Sequence, residues 1–333
     1  MPRIIKYTTE QIQGEPKISR FLKTNGYSER NLVNLRKDPE SICLNGEYVY
    51  MNHKIKAGDD LRVCIREQEN SGQIVPVCLP ISIIYEDEDL MIINKPAGMP
   101  IHPSLNNHDN SLGNALAWLF QERSEPFVYR CINRLDRDTS GLTIIAKHML
   151  SASILGHMVQ KKADAGGIHR EYLAIVDGRL DEKVGTISAP IARKESSCLE
   201  RMVDFDHGDR AVTHYRVVEE YTDASLVSLV LETGRTHQIR VHMKYLGHPL
   251  LGDFLYHPAY AANQIDRVGE STALSECDMK RQALHAYKLS FTHPITGEMV
   301  NVTAPLPEDM SRWLAERGTL PPGGVLFIQP KVC

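Results

Sequence analysis

Apolar residues along this chain fall mostly into short alternating or continuous runs punctuated by Gly, Pro, Asn and Asp, which predicts more strands than helices. Near the start, Ile18, Phe21 and Leu22 recur at helical spacing. A second helix is expected after Ser28, a residue type that caps helix N-termini, with Leu32, Val33 and Leu35 as its apolar positions. Asn45-Gly46 then separates two short apolar stretches between Ile42 and Val49, and this dipeptide strongly favours a tight hairpin. A further strand, Leu61 to Ile65, follows a turn at Ala57 to Asp60. Residues 67 to 80 carry Ser71, Gly72 and two prolines and predict a linker. The chain thus divides into a small αβ module at 1–66, a linker at 67–80 and a large domain at 81–333.

The large domain opens on strand, acidic turn and strand from Ile81 to Pro96, followed by an amphipathic helix from Ser111 to Phe120. Further strands are expected at Leu142 to Ala146, Tyr172 to Val176, Arg210 to Val217, Ser225 to Leu231, Tyr287 to Phe291 and Met299 to Val302. A short helix is predicted over Ser151 to Gln160, a loop over Lys161 to Gly167, and a polar excursion without a core over Ile187 to Met202. The helix Thr236 to Leu246 ends at Gly247 with Pro249 beyond. Recurring hairpins predict an α+β fold, with a mixed, largely antiparallel central sheet and flanking helices.

Composition narrows the class. With 333 residues and 42% hydrophobic content the chain can bury a full core, which argues against disorder. No apolar run is long enough to span a bilayer, and the first residues lack an extended apolar stretch, so a cytoplasmic location is expected. Cysteines at 43, 64, 78, 131, 198, 277 and 333 contain no Cys-x-x-Cys pair, which points to reduced thiols and not to a disulfide framework or zinc site. The net charge of -4 conceals an uneven spread, because residues 1–66 hold 12 Lys+Arg against 8 Asp+Glu. The front of the chain is basic.

Candidate chemistry concentrates at Asn133 to Lys147, where Arg134, Asp136, Arg137 and Asp138 directly precede a β-branched, apolar strand. Charges at the mouth of a core strand are costly unless paired, which predicts a constrained loop with Gly141 supplying its turn. Asp136 is the candidate working carboxylate and Asp138 its rival, since in an extended loop both would point the same way. The chain shows no phosphate-binding glycine loop and no metal-ligand cluster, so no cofactor or metal is expected. His237, His242 and His248 are five and six residues apart and share no helical face, which favours hydrogen-bonded or core roles.

The run from Asn133 to Gly141 resembles the signature His-Arg-Leu-Asp-x-x-Thr-Ser-Gly of the RluA family of RNA pseudouridine synthases, with Asn133 in the position of the usual His. Thr233 to Met243, followed by Leu246 to Asp253, resembles that family's other diagnostic segment, and residues 15 to 66 resemble an S-four-type RNA-binding domain. The resemblance implies the pseudouridine synthase fold and an isomerase that acts on structured RNA, with 23S ribosomal RNA as the expected partner and the protein a monomer. It implies Asp136 as the catalytic aspartate, Arg240 as its basic partner, Tyr172 against the base and Arg134 entering the RNA where the target base is expelled. In the small domain Arg20, Arg30, Arg36 and Lys37 would meet RNA phosphates, with a solvated surface as the plain alternative. Asn133 can hydrogen-bond the loop but cannot titrate.

Two rival functions fit parts of the pattern. A non-catalytic RNA-binding or ribosome-assembly factor would need no set of Asp136, Tyr172 and Arg240 together. A carboxylate-dependent hydrolase of nucleosides or glycosides would need a second acid at glycosidase spacing.

Overall fold

Four strands and two helices build the N-terminal module: β1 (Arg3–Tyr7), α1 (Ile18–Thr24), α2 (Glu29–Arg36), β2 (Ile42–Leu44), β3 (Glu47–Tyr48) and β4 (Leu61–Ile65). They form an antiparallel sheet in the order β1-β4-β2-β3. The computed structural model describes residues 2–67, 74–104, 107–197, 199–261 and 279–318. Most of the first half of the expected linker and three of the seven cysteines, Cys198, Cys277 and Cys333, lie outside the described residues.

Ser28 caps α2 as its residue type predicts: its Oγ accepts from the Asn31 backbone N–H at 3.2 Å, and the Asn31 side-chain oxygen accepts from the Ser28 N–H at 2.8 Å. The inward face differs from expectation. Leu32 and Leu35 are buried, but Val33 is exposed and Asn31 takes the third inner position, donating to the Met149 carbonyl at 3.1 Å. Strand β1 was not predicted, because Ile5 is its single buried residue and so no apolar alternation announces it.

That bond to Met149 is one of several that dock the module on the rest of the chain. Ser153 Oγ donates to the Gly26 carbonyl at 2.8 Å, and the module's core includes Leu150. Gly26 sits at φ +90°, where a Cβ would come 2.5 Å from Ile154, so both its conformation and its contact require glycine. Arg3 reaches Asp89 through two bonds of 2.7 and 3.1 Å, and the same carboxylate meets His148 at 2.8 Å. Asp87, Asp89 and His293 crowd together nearby as a metal site would. The His293 Nδ1 accepts N–H groups of Ile295 and Thr296, however, which assigns the proton to Nε2, 3.0 Å from Asp87. The ring turns an N–H toward those carboxylates without completing a hydrogen bond, and keeps no lone pair for a cation.

The large domain runs β5 (Ser82–Glu86), β6 (Leu90–Lys95), α3 (Leu112–Glu122), β7 (Ser140–Ala146), α4 (Met149–Val159), β8 (His169–Asp177), β9 (Val184–Ser188), β10 (Ile191–Arg193), β11 (Arg201–Val203), β12 (Val212–Glu220), β13 (Ala224–Leu231), α5 (Gln238–Tyr245), the one-turn α6 (Pro258–Ala261), β14 (Leu284–Thr292), β15 (Met299–Thr303) and α7 (Glu308–Arg317). Its main sheet has the order β5-β6-β7-β14-β8-β13-β12-β9, with β15 also paired to β14. All of its strand pairs are antiparallel except β7 with β14, so the mixed, largely antiparallel α+β architecture is as the pattern predicts.

Alternation decides which face each residue serves. In β6, Met91 and Ile93 join α3 and α5 in one core, whereas Leu90 and Ile92 join α4 in another. In β8, Tyr172 and Ala174 face the α3–α5 side, and Leu173 and Ile175 face α7. Each such fully buried side chain contributes about 1.5–3 kcal/mol, so a one-residue slip of β8 would be prohibitive. The predicted polar excursion at Ile187 to Met202 is instead β9, β10 and β11, with β10 and β11 forming a separate hairpin whose charged residues hide any strand alternation. Helix α7 was passed over although Met310, Trp313 and Leu314 stand at helical spacing. Among the described residues no helix is long and apolar enough to cross a membrane.

At the junction of β7 and β14, His285 is buried and its Nδ1 lies 2.9 Å from Ser140 Oγ. Burial pushes this imidazole down to about 4. The unfolded chain therefore binds more protons between about pH 4 and 6.5, and the stability present above that window is lost as pH falls through it, by on the order of 2 kcal/mol at pH 5. His285→Gln is expected to narrow the drop in melting temperature between pH 7 and pH 5. Equal drops in both proteins would assign the acid sensitivity to other groups.

Candidate active site

The charged loop between Asn133 and β7 is a tight turn, not an extended segment. The Thr139 N–H donates to the Asp136 carbonyl at 3.2 Å, with Arg137 and Asp138 at the corner. Asp136 and Asp138 consequently diverge. Asp138 pairs with the Arg137 guanidinium at 3.0 and 2.9 Å and borders a different depression, beside Ala97, Gly98 and Arg281. Gly141 does not make the turn. It lies within β7 at φ +110°, and a Cβ there would stand 2.3 Å from the Ala286 carbonyl, so its need is close passage of β14.

Three side chains hold this loop still. Asn133 is buried and grips β7 by two bonds, donating to Leu142 O at 3.1 Å and accepting from Ile144 N at 2.8 Å. Lys95 has no exposed surface, and its ammonium donates to the carbonyls of Pro96, Met99 and Arg137 at 2.9, 2.8 and 3.0 Å. Burial lowers this amine to about 7. Arg281 Nη1 donates to Asp138 O at 3.0 Å from the far side.

Helix α5 begins two residues later than the sequence pattern suggests. His237 precedes it in the left-handed region at φ +59°, while Gln238 Oε1 accepts from Arg235 N at 3.0 Å and Thr233 Oγ1 at 2.8 Å. This turn aims Arg240 at the loop. Its Nη1 donates to Asp136 Oδ2 at 3.0 Å, and its Nε and Nη2 grip Asp253 at 2.7 and 2.8 Å. Asp253 is fully buried and Arg240 nearly so, with the Tyr256 ring 4.9 Å from the guanidinium. Burial is the largest single influence and opposes the charge, but the bonds and charges of Asp253 and Asp136 together outweigh it and hold Arg240 above its ordinary range. His237 Nε2 stands 3.8 Å from Asp136, and burial pushes that ring down, toward the neutral form.

Asp136, Arg240, Tyr172 and Arg134 all line one cleft of about 460 Å³, within the size range of small-molecule sites. Tyr172 is buried in its wall, and burial raises the phenol, with Arg170 opposing and Asp136 adding. Arg134 is exposed on the rim. Arg30 and Lys37 line a second groove of about 600 Å³ between α2 and α4, and Gln160 borders both this groove and the cleft. Arg20 and Arg36 are exposed outside it.

Of the three histidines, His242 bonds Thr213 Oγ1 and Ala189 O at 2.9 Å each, and His248 bonds Asp177 O at 2.9 Å, which are the hydrogen-bonded roles their spacing predicts. The sequence reading missed Asp253, His237, Lys95 and Arg170 as site residues. Asp253 and His237 lie inside the segments already singled out, and Arg170 precedes Tyr172 by the strand period of two. Nothing local marks Lys95 as a buried cation.

Residues 89–245 match the model of the RNA pseudouridylate synthase family. An uncharacterized RNA pseudouridine synthase of Bacillus subtilis (strain 168), YjbO, is 40% identical over 287 residues, covering 86% of this chain and 94% of its own. Ribosomal large subunit pseudouridine synthase D of Nitrosomonas europaea is 39% identical over 288 residues, covering 86% and 80%. Among solved structures, human RNA pseudouridylate synthase domain containing 1 aligns with a TM-score of 0.53 at 27% identity over 68% of this chain and 83% of its own. Together with a cleft in which Asp136 meets Arg240, these likenesses establish that the chain belongs to the RluA family of RNA pseudouridine synthases, isomerases that act on RNA.

Proposed function

We propose that the protein converts uridines of large-subunit (23S) ribosomal RNA to pseudouridine in the cytoplasm, working as a monomer without metal, with Asp136 as the catalytic carboxylate. The carrying observation is the 3.0 Å contact between Asp136 and a guanidinium that Asp253 holds in place, at the edge of a cleft large enough for a nucleoside. A relative named as a ribosomal large-subunit enzyme supports the choice of RNA.

Isomerisation breaks the bond from uracil N1 to the sugar, turns the base and joins C5 to the same sugar carbon, while the C5 proton is released and N1 takes one up. No electrons are gained or lost, so side chains suffice. Asp136 carries the first step, as nucleophile or as base for a sugar proton, and Arg240 keeps the carboxylate placed. Tyr172 packs against the base. Its burial raises the phenol further above the neutral range and so disfavours the phenolate that a base for the C5 proton would need. Arg134, on the rim, fills the stack from which the uridine is expelled.

Residues 1–66 serve as the RNA-binding module, with Arg30 and Lys37 meeting phosphates in the groove that adjoins the cleft at Gln160, and Arg20 and Arg36 on the open surface beyond. Mapping pseudouridines in total RNA from cells with and without the gene tests the reading. Loss of defined sites in large-subunit ribosomal RNA is the expected result. Unchanged ribosomal RNA, with losses in transfer RNA alone, would redirect the substrate.

A further inference from the structure

Among the described residues, the Arg170 side chain is a cation without a partner. Its residue is 5% exposed, its Nε is wholly buried without an acceptor, and no carboxylate or carbonyl among the described residues takes a side-chain N–H from it. It lines the cleft and stands two residues before Tyr172 on β8, so both side chains project from the same face of the sheet. Gly234 leaves room for it, since a Cβ there would come 3.0 Å from Arg170 Nη1.

A guanidinium stays charged, and one whose Nε is sealed in the cleft wall without an acceptor is a cost the free protein carries. Arg240 cannot be exchanged for it, because its fork is already committed to Asp253 and Asp136. We propose that Arg170 is a substrate-binding residue that takes a backbone phosphate of the RNA at the target nucleotide. This rests on the reading of the cleft as the uridine site. A phosphate is favoured over a uracil carbonyl because it brings a full, permanent negative charge and two oxygens that match a planar fork. The carbonyl is neutral until the sugar bond breaks.

The test compares wild type with Arg170→Met and Arg170→Lys. The assay is tritium release from a large-subunit ribosomal RNA transcript labelled at C5 of uridine, at several salt concentrations, with thermal melts in the absence of RNA. Methionine keeps much of the volume and removes the charge, so the RNA-free variant is expected to melt about 2–4 °C higher. KM is expected to rise on the order of ten- to a hundredfold while kcat changes far less. The slope of log affinity against log salt should become shallower by about 0.7, the value of one phosphate contact on single-stranded RNA. Lysine should restore the salt slope and part of the affinity.

A lower melting temperature in Arg170→Met would make the residue structural and overturn the proposal. An unchanged salt slope with weaker binding would place the guanidinium on the base and overturn it equally. If the wild type releases no tritium while still binding the transcript, the failure belongs to the substrate reading and not to Arg170.

Discussion

Asp136→Asn is expected to bind RNA as the wild type does and to lose tritium release from C5-labelled RNA by about three orders of magnitude or more. The amide preserves shape, and its oxygen can still accept from Arg240 Nη1, now 3.0 Å from Oδ2. The side chain is 25% exposed, so the fold has little at stake. What disappears is the negative charge that can attack carbon or accept a sugar proton. Filter binding and a melting curve on the same preparation separate loss of chemistry from loss of fold. Turnover within tenfold of wild type would remove Asp136 from the reaction and return attention to other carboxylates. Asp138 would be a poor replacement, since the turn carries it away from the cleft to Arg137.

The second large effect concerns a residue that touches no substrate. Asp253→Ala is expected to destabilise the protein by about 3–5 kcal/mol, because it strands the buried Arg240 guanidinium with a single carboxylate on its outer edge. For a chain of this size that corresponds to a fall in melting temperature on the order of 10 °C. Activity should fall with it, since Asp253 fixes the fork whose remaining nitrogen reaches Asp136. A double variant, Asp253→Leu with Arg240→Met, discriminates the two consequences. Replacing both charges by apolar groups should recover most of the stability and none of the activity. If the single variant melts like wild type, the buried pair carries no such strain and the account of how Arg240 is held is wrong.

Much of this could be read along the chain. Strand positions such as Met91 to Ile93 or Tyr172 to Val176 are dictated by β-branched and apolar content, and the cap at Ser28 by a short hydroxyl side chain that satisfies a free N–H group. Asp136, Arg134 and Arg240 were legible because they sit in two dense segments, and Tyr172 only through the family resemblance; the cleft brings the four together. Val33 failed because only part of an eight-residue helix faces inward, and Asn31 took the place through its own capping bonds. The β10–β11 hairpin failed because its charged side chains erase the alternation on which such readings depend.

Local chemistry, then, determined which residues stand out as candidates for the site, where most strands and helices form, and that the sheet would be mixed. Tertiary structure alone decided that Asp136 faces Arg240 while Asp138 faces away, that Lys95 ties the loop from beneath, and that Arg170 stands in the cleft with no counter-charge among the described residues. The reason is one of range. Helix caps, turns and strand alternation are settled among neighbours a few residues apart, whereas an ion pair across 104 residues exists only once β7, β14 and α5 have packed and closed the distance.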